Sequence, residues 1–165
     1  MVRRTLLYLV IGSALTFCVS CGVYSFSGSA LSGVRTVGVP LFENQTTEYD
    51  LQEKLTEKVT NSFIADNTLK VVSARRADAV LYGVVTRYER KSHTFDGAGN
   101  TMEYITYVYV ALRFEKRTER ETIWEDDNME GWGIYDAIEE TEEEGKERAL
   151  DKLAEDIVDR TVKGW

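Results

Sequence analysis

Both cysteines of the chain lie at the end of an apolar N-terminal segment, and this position constrains the fold of the residues that follow. Arg3 and Arg4 precede the segment from Leu6 to Val19, which has the length of a signal-peptide core and is too short for a comfortable membrane span. Cleavage before Cys21 would leave an N-terminal thiol that can be acylated, as in bacterial lipoproteins. The exported domain would then have no thiol for a disulfide, so it must be stabilised by its hydrophobic core.

The cleavage position departs in one respect from the usual lipoprotein pattern. Cys18 stands three residues before Cys21, where an aliphatic side chain is usual, and a cut before Cys18 would place the bulky Phe17 at the junction. An ordinary signal peptide and a signal anchor that is never removed are the alternative interpretations. Gly22 follows Cys21 in place of the Asp that commonly retains Gram-negative lipoproteins in the inner membrane, which favours the outer membrane.

The chain after the signal peptide, residues 1–20, divides into a tether and one domain. Residues 21–33 are rich in Gly and Ser, a composition typical of a flexible linker. Residues 34–165 have the size of one ordinary domain with its own core. The formal net charge of the chain is −8, and removal of the signal peptide lowers it by a further two charges. This acidic balance argues against a general nucleic-acid binder.

Hydrophobic periodicity predicts two helices in the domain. The first has Leu51, Leu55, Val59 and Phe63 at helical spacing, begins near Thr46 or Thr47, and ends at Asp66-Asn67. The second follows a capping box formed by Thr141 and Glu144. The apolar stripe of the second helix consists of Ala149, Leu150, Leu153, Ala154, Ile157, Val158 and Thr161.

Runs of β-branched and aromatic residues predict the strands. Strands over 34–39 and 69–73 flank the first helix, which indicates a parallel crossover. Strands over 79–91 and 104–115 form a hairpin around the turn-rich loop 95–100, with a further strand over 122–128 and an irregular segment at 131–133. We therefore predict an α+β fold in which two helices pack on one face of a four- to five-stranded mixed β-sheet.

The face of the hairpin that the helices leave uncovered is predicted to be rich in tyrosine. Strand alternation places Tyr82, Tyr88, Tyr107 and Tyr109 on this face. Tyrosine is enriched in protein interfaces, so these four residues are the candidate partner interface. Packing between neighbouring strands is the alternative explanation, since cross-strand tyrosines contact each other without any partner.

No pattern in the sequence indicates catalysis, a cofactor or a metal site. His93 is the single histidine, and Gly97 and Gly99 belong to a turn without a following helix. The acidic run at 139–144 is explained by the start of a helix, whose dipole favours negative charge.

A basic strand end formed by Arg87, Arg90 and Lys91 could bind phosphates of an anionic glycolipid. Solubility and cross-strand pairing, for example with Glu89, are the alternative.

Several short segments, taken in order, resemble the LPS-assembly lipoprotein (LptE) family. They are Cys21–Gly28, Val37–Asn44, Ala77–Gly83, Trp124-Glu125 and Gly131–Gly133. The resemblance implies a periplasm-facing outer-membrane lipoprotein that plugs a large β-barrel partner, LptD, and helps to insert lipopolysaccharide into the outer leaflet. Only Cys21 transfers residue by residue, as the lipidated position. The candidate lipopolysaccharide contacts Arg87, Arg90 and Lys91 follow from their position alone.

Two other functions are compatible with a tethered α+β domain. An auxiliary lipoprotein of a lipid-trafficking ABC transporter would use the same tyrosine face on a partner that is not a barrel. A lipoprotein subunit of a secretion pore would need edges that form a ring. The identity of the partner that co-purifies with the protein distinguishes these functions.

Overall fold

The computed structural model describes Leu31 and residues 33–163, so the predicted signal peptide, Cys21 and most of the tether lie outside the described residues. The strands are β1 Thr36–Gly38, β2 Glu43–Asn44, β3 Lys70–Val71, β4 Ala79–Phe95, β5 Thr101–Lys116 and β6 Thr122–Asp136. The described helices are α1 Leu51–Asp66 and α2 Glu142–Val162. Neither α1 nor α2 combines the length and the apolar character needed to cross a membrane.

The strands form one sheet of six strands, and it is mixed, as predicted. Its order is β3-β1-β4-β5-β6, and β2 also pairs with β4. β1 is parallel to β3 and β4, whereas β4, β5 and β6 are antiparallel neighbours. The parallel β1–α1–β3 crossover confirms the prediction for this segment. The sheet has more strands than predicted because β2, which lies outside every predicted strand, pairs with Val84 and Val85.

Both helices pack on the same face of the sheet. From α1, Leu51, Leu55, Val59 and Phe63 are buried, at the spacing that the sequence predicts. They and the predicted apolar residues of α2 share one core with the strands. The strand residues in this core include Val37, Ala79, Leu81, Val85, Val108, Val110, Leu112 and Phe114. Burial of this much apolar surface is the dominant favourable term for a domain without disulfides.

The two helix starts differ from each other. At α2 the predicted capping box is present: Thr141 Oγ1 accepts a hydrogen bond from the Glu144 N–H, and the Glu144 carboxylate accepts one from the Thr141 N–H at 2.7 Å. α1 begins after Asp50, which has φ 63° and makes no side-chain capping bond. The predicted cap at Thr46 or Thr47 is therefore wrong, because Thr46 instead hydrogen-bonds to the Asn44 side chain at 2.8 Å.

β6 continues through the segment that was expected to be irregular. Gly131 and Gly133 lie in regular pairing opposite Val108 and Thr106. A Cβ on Gly131 would collide with the Ala149 carbonyl oxygen, and a Cβ on Gly133 would collide with the Gly145 carbonyl oxygen. The two glycines thus let the backbone of α2 approach the sheet closely, which is a recognised reason for glycine inside a strand.

Candidate interaction surface

A β-bulge at Thr86 sets which side chains of the hairpin face the helices. Val85 pairs with Val110, but the next pair is Arg87 with Tyr109, so Thr86 is an extra residue on β4. Side chains alternate along a strand, and one extra residue moves every later side chain to the other face. Between this bulge and the next register shift, which follows Ser92, the even-numbered residues of β4 therefore face the helices.

The prediction that Tyr88 shares a face with the other three tyrosines is wrong, and the bulge is the reason. The Tyr88 hydroxyl donates a hydrogen bond of 2.5 Å to Glu142, the first residue of α2. Burial and this carboxylate raise the pKa of the Tyr88 hydroxyl above its ordinary value. Tyr88 therefore joins the sheet to α2 on the helix side.

Arg90 lies on the helix side for the same reason. Its guanidinium lies 3.8 Å from the centroid of the Tyr104 ring and donates a hydrogen bond to the Tyr135 hydroxyl. The Glu142 carboxylate is 3.5 Å from Arg90 Nε, and the Tyr104 and Tyr135 rings stack with centroids 5.6 Å apart. The structure thus separates the three candidate lipopolysaccharide contacts. Arg90 is packed against the start of α2, whereas the other two lie on the opposite side of the sheet.

We call the sheet side away from α1 and α2 the opposite face. Tyr107 and Tyr109 stack there with ring centroids 6.1 Å apart, and Trp132 pairs with Tyr107 from β6. Tyr82 is 41% exposed and Trp132 42% exposed, so both rings offer aromatic surface to a partner. The opposite face includes Val80, Tyr82, Val84, Arg87, Glu89, Lys91, Ile105, Tyr107, Tyr109, Ala111, Arg113, Glu115, Glu130, Trp132 and Ile134.

Each of the three tyrosines on the opposite face has a cation over its ring. Arg87 lies 3.9 Å from the centroid of Tyr109, Lys91 lies 5.3 Å from that of Tyr107, and Arg113 lies 5.7 Å from that of Tyr82. Such contacts fix the rings in place and add modest stability at exposed sites.

Carboxylates on the same strands balance these cations. Glu89 pairs with both Arg87 and Lys91, and Glu115 pairs with Arg113 at 3.2 Å. The hydrogen bond from Lys91 holds the pKa of the Glu89 carboxyl below its ordinary value. The opposite face is therefore aromatic and close to charge-balanced, which is the chemistry of a protein interface more than of a strongly basic binding site.

Trp132 and Arg113 belong to this face although neither was among the predicted site residues. The alternation Gly131-Trp132-Gly133 was the available indication, because a strand with glycine on one face must present its tryptophan on the other. A groove of about 250 Å³ lies between Tyr82, Arg113 and the β6 residues Glu125 and Asp127. Its floor contains the small side chain of Ala111, so an aromatic or aliphatic side chain of a partner can enter.

Within residues 33–163, no cluster of three or more His, Cys, Asp or Glu side chains is arranged to hold a metal ion. His93 is exposed on β4 near the hairpin turn. In that turn the Asp96 carboxylate accepts hydrogen bonds from the backbone of Ala98 and Asn100 at 2.9 and 2.8 Å. The Gly97–Gly99 segment is thus a tight turn stabilised by its own residues, as the sequence predicts.

Solved structures from three bacteria illustrate the same fold. The hypothetical protein CT253 from Chlamydia trachomatis has a TM-score of 0.56 and 10% identity, covering 77% of this chain and 95% of its own. Protein XCC0632 from Xanthomonas campestris has a TM-score of 0.55 and 11% identity, covering 78% and 84%. A minor lipoprotein from Acinetobacter baumannii has a TM-score of 0.52 and 14% identity, covering 78% and 93%. At these identities the similarity concerns the fold alone.

Comparison with curated proteins found no significant match. The family model described as LptE, lipopolysaccharide-assembly, matches residues 34–162. This range contains every described strand and both described helices, and therefore the whole of the opposite face. The chain belongs to the LptE lipopolysaccharide-assembly family.

Proposed function

We propose that the protein is an outer-membrane lipoprotein that plugs and helps to assemble the β-barrel lipopolysaccharide translocon, of the LptD type, and delivers lipopolysaccharide to the outer leaflet. Family membership over residues 34–162 supports a role in lipopolysaccharide assembly. The observation that carries the plug function is the exposed aromatic surface of the opposite face, with Tyr82 and Trp132 about two-fifths exposed. The protein acts by contact and catalyses no reaction.

The opposite face is the part of the domain that contacts the barrel in this proposal. Tyr82, Tyr107 and Trp132 supply rigid rings that lose little conformational freedom on binding, and the buried Tyr109 stacks on Tyr107. Cations over three of these rings hold them in position before the partner arrives. Because the face is close to charge-balanced, its burial against a barrel wall leaves few charges without a partner.

Arg87 and Lys91 remain the candidate lipopolysaccharide contacts, since both lie on the opposite face. Each would exchange Glu89 for a lipid phosphate, which accepts charged hydrogen bonds well. The test is lipopolysaccharide binding by an Arg87→Glu/Lys91→Glu variant, with Arg113→Glu/Lys116→Glu at the other end of the hairpin as a control of equal charge change. The expected result is loss of binding in the Arg87→Glu/Lys91→Glu variant only. Equal lipopolysaccharide binding by the wild type, this variant and the control would show that Arg87 and Lys91 are not contacts.

The lipid anchor at Cys21 is the second part of the proposal. Removal of residues 1–20 would expose Cys21 for acylation, and residues 21–33 would connect it to the domain. A Cys21→Ser variant should incorporate no labelled palmitate and should no longer sediment with outer membranes. Normal acylation of this variant would contradict the assignment.

The partner is identified by a mild-detergent pull-down of the C-terminally tagged protein from outer membranes. The proposal expects one large β-barrel in near-equal amount, as an obligate plug requires. A Trp132→Glu variant should lose the barrel, whereas Tyr49→Glu should keep it, because the exposed Tyr49 lies beside the start of α1. Recovery of inner-membrane transporter subunits, with no barrel, would contradict the proposal and favour an auxiliary lipoprotein of an ABC transporter.

A further inference from the structure

We propose that the end of the domain at which the tether enters binds anionic headgroups of the membrane that holds the lipid anchor. This inference rests on the proposed anchor at Cys21. The surface concerned is separate from the opposite face and from the start of α2. We call this surface the tether end and define it by Arg35, Lys70, Arg75, Arg76, Arg117 and Arg120, the six cations that it presents.

Three separate chain segments meet at the tether end. The backbone N–H groups of Arg35 and Thr36 each donate to the Asp78 carboxylate at 3.0 Å. Arg117 donates through its backbone N–H to the Asp78 carbonyl at 2.9 Å and through Nε to the Ala77 carbonyl at 2.8 Å. The start of β1, the segment before β4 and the turn after β5 therefore lie side by side.

Three further cations of the tether end are held to the same segments, and Arg75 precedes one of them, Arg76, in the chain. Arg120 lies in the turn after β5, where its N–H donates to the Lys116 carbonyl at 2.8 Å. Lys70 donates its backbone N–H to the Arg35 carbonyl at 3.0 Å, and Arg76 donates through Nε to the Ser73 hydroxyl at 3.2 Å. Gly33 lines one shallow cavity with Asp78 and Thr118. The chain thus enters the domain among these side chains.

In the described part of the chain, the six cations differ from the other lysines and arginines in their lack of a carboxylate partner. All six are exposed, and none makes an ion pair with a described carboxylate. Every other described lysine and arginine does make one, as in Lys58 with Asp151 and Arg148 with Glu140. Guanidinium groups without a carboxylate can take up bidentate hydrogen bonds to phosphate.

Acidic groups at the tether end do not cancel this charge. Glu119 and Glu121 both pair with Lys116, which is not one of the six. Asp78 accepts hydrogen bonds from Thr36 and Arg35, and these hold the pKa of its carboxyl below the ordinary value. Asp78 also interacts electrostatically with Arg117. With Lys116 included, seven cations still outnumber the three carboxylates Asp78, Glu119 and Glu121, so the tether end keeps a positive excess.

The acidic start of α2 is too far away to screen the tether end. Glu142 contacts Tyr88, which lies ten residues along β4 from Asp78, a separation of about 30 Å. The Debye length at physiological ionic strength is only about 8 Å. A protein with a formal net charge of −8 thus has a locally basic end, and an anionic surface would meet that end without strong repulsion from the rest.

The short tether selects a membrane as the occupant. Gly33 lies twelve residues after Cys21, and a flexible chain of that length spans about 20 Å on average. The anchor would keep the tether end close to the bilayer, where each Lys or Arg near an anionic surface contributes attraction. A basic surface beside a lipid anchor is a recognised second attachment to an anionic bilayer.

The test uses the full acylated protein in vesicles, with one introduced cysteine as the label site. The chain has two cysteines; Cys18 leaves with the signal peptide and Cys21 is acylated, so a Thr118→Cys label is unique. A label at Gly97→Cys, where a Cβ meets nothing within 4 Å, reports on the far hairpin turn. Energy transfer to a headgroup dye is compared in vesicles of phosphatidylcholine alone and with added phosphatidylglycerol.

We expect energy transfer from the Thr118→Cys label to be higher in the anionic vesicles than in the neutral ones, and this increase to disappear at high salt. Energy transfer from the Gly97→Cys label should be lower than that from Thr118→Cys in both kinds of vesicle. Arg75→Gln/Arg76→Gln should reduce the transfer from the Thr118→Cys label to its value in neutral vesicles. The control Arg148→Gln/Lys152→Gln removes the same charge from α2 and should keep the increase.

Two results would overturn the inference, and they differ in what else they contradict. Equal transfer from Thr118→Cys in neutral and anionic vesicles, in protein that floats with both, would overturn the headgroup contact and leave the anchor intact. Protein that floats with neither kind of vesicle would contradict the anchor at Cys21, and the inference with it.

Discussion

The guanidinium of Arg90 lies 3.8 Å from the centroid of the Tyr104 ring on the helix side of the sheet, and that of Arg87 lies 3.9 Å from Tyr109 on the opposite face. The two pairs have nearly the same geometry and involve the same two strands. Their surroundings differ, because Arg90 also contacts Tyr135 and the start of α2. A residue chosen as a lipid contact is thus part of the packing between the hairpin and a helix.

Substitution of Arg90 is expected to affect stability more than substitution of Arg87. Arg90→Ala removes a cation–ring contact and a hydrogen bond to Tyr135 together, and should lower the free energy of unfolding by about 1–2 kcal/mol. Both arginines are exposed, but Arg87→Ala removes only one cation–ring contact and an ion pair with Glu89, and should cost less than about 1 kcal/mol. Urea denaturation measures both values. Equal losses would show that the contacts of Arg90 with Tyr135 and Glu142 contribute nothing.

The glycines of β6 give a sharper test of the packing of α2. Gly131→Ala and Gly133→Ala each place a methyl group against the backbone of α2, where neither partner can move without shifting the helix. Each should destabilise the domain by about 1–3 kcal/mol. Gly97→Ala is the matched control, because a Cβ there meets nothing within 4 Å. Thermal unfolding of the three variants should show a clear decrease in Tm for the first two only.

The fold class could be predicted because its determinants are local. Leu51, Leu55, Val59 and Phe63 recur at helical spacing, the capping box Thr141-x-x-Glu144 marks the start of α2, and the hairpin turn contains Gly and Asn. Each of these patterns depends on residues within one element, and the structure confirms each.

The candidate site could be predicted only in part, because its composition depends on strand pairing. Nothing in the residues around Thr86 specifies a bulge, yet that one residue moved Tyr88 and Arg90 to the helix side. The role of Gly131 and Gly133 follows from the closeness of α2, a long-range contact that a strand pattern does not contain. Tyr107 and Tyr109 share a face because β5 has no bulge between them. Tyr82 lies on the same face because it precedes the bulge in β4.

The capping box of α2 should contribute measurably to stability. Thr141→Ala removes the hydroxyl that accepts from the Glu144 N–H, and loss of such a cap costs about 1 kcal/mol. Thr141→Ser keeps the hydroxyl and should retain most of this contribution. Chemical denaturation of both variants checks the prediction, and similar losses in the two would assign the effect to packing of the threonine methyl group.

Asp78 should make the domain less stable in acid. Hydrogen bonds from the Thr36 hydroxyl and the Arg35 N–H hold the pKa of its carboxyl below the ordinary value in the folded state. A carboxyl whose pKa is lower in the folded state stabilises that state at pH values above its unfolded-state pKa of about 4. This stabilisation is lost as the pH falls through the folded-state pKa.

The contribution of Asp78 is separated from that of other carboxyls by comparing variants. Asp78→Asn should be less stable than the wild type at pH 7, and the difference should shrink as the pH falls below about 4. Glu155→Gln, an exposed position on α2, is the control and should be as stable as the wild type at pH 7. A difference between Asp78→Asn and the wild type that stays constant from neutral to acid pH would contradict the linkage.

The central claim is that the opposite face contacts a barrel, and site-specific photocrosslinking in cells tests it most directly. A benzophenone amino acid replaces Trp132, which is 42% exposed on that face, and a second chain carries it at Thr118 of the tether end. We expect Trp132 to give one adduct with a large outer-membrane β-barrel, and Thr118 to give adducts with lipid. An adduct of Trp132 with inner-membrane transporter subunits, or no protein adduct at all, would contradict the claim.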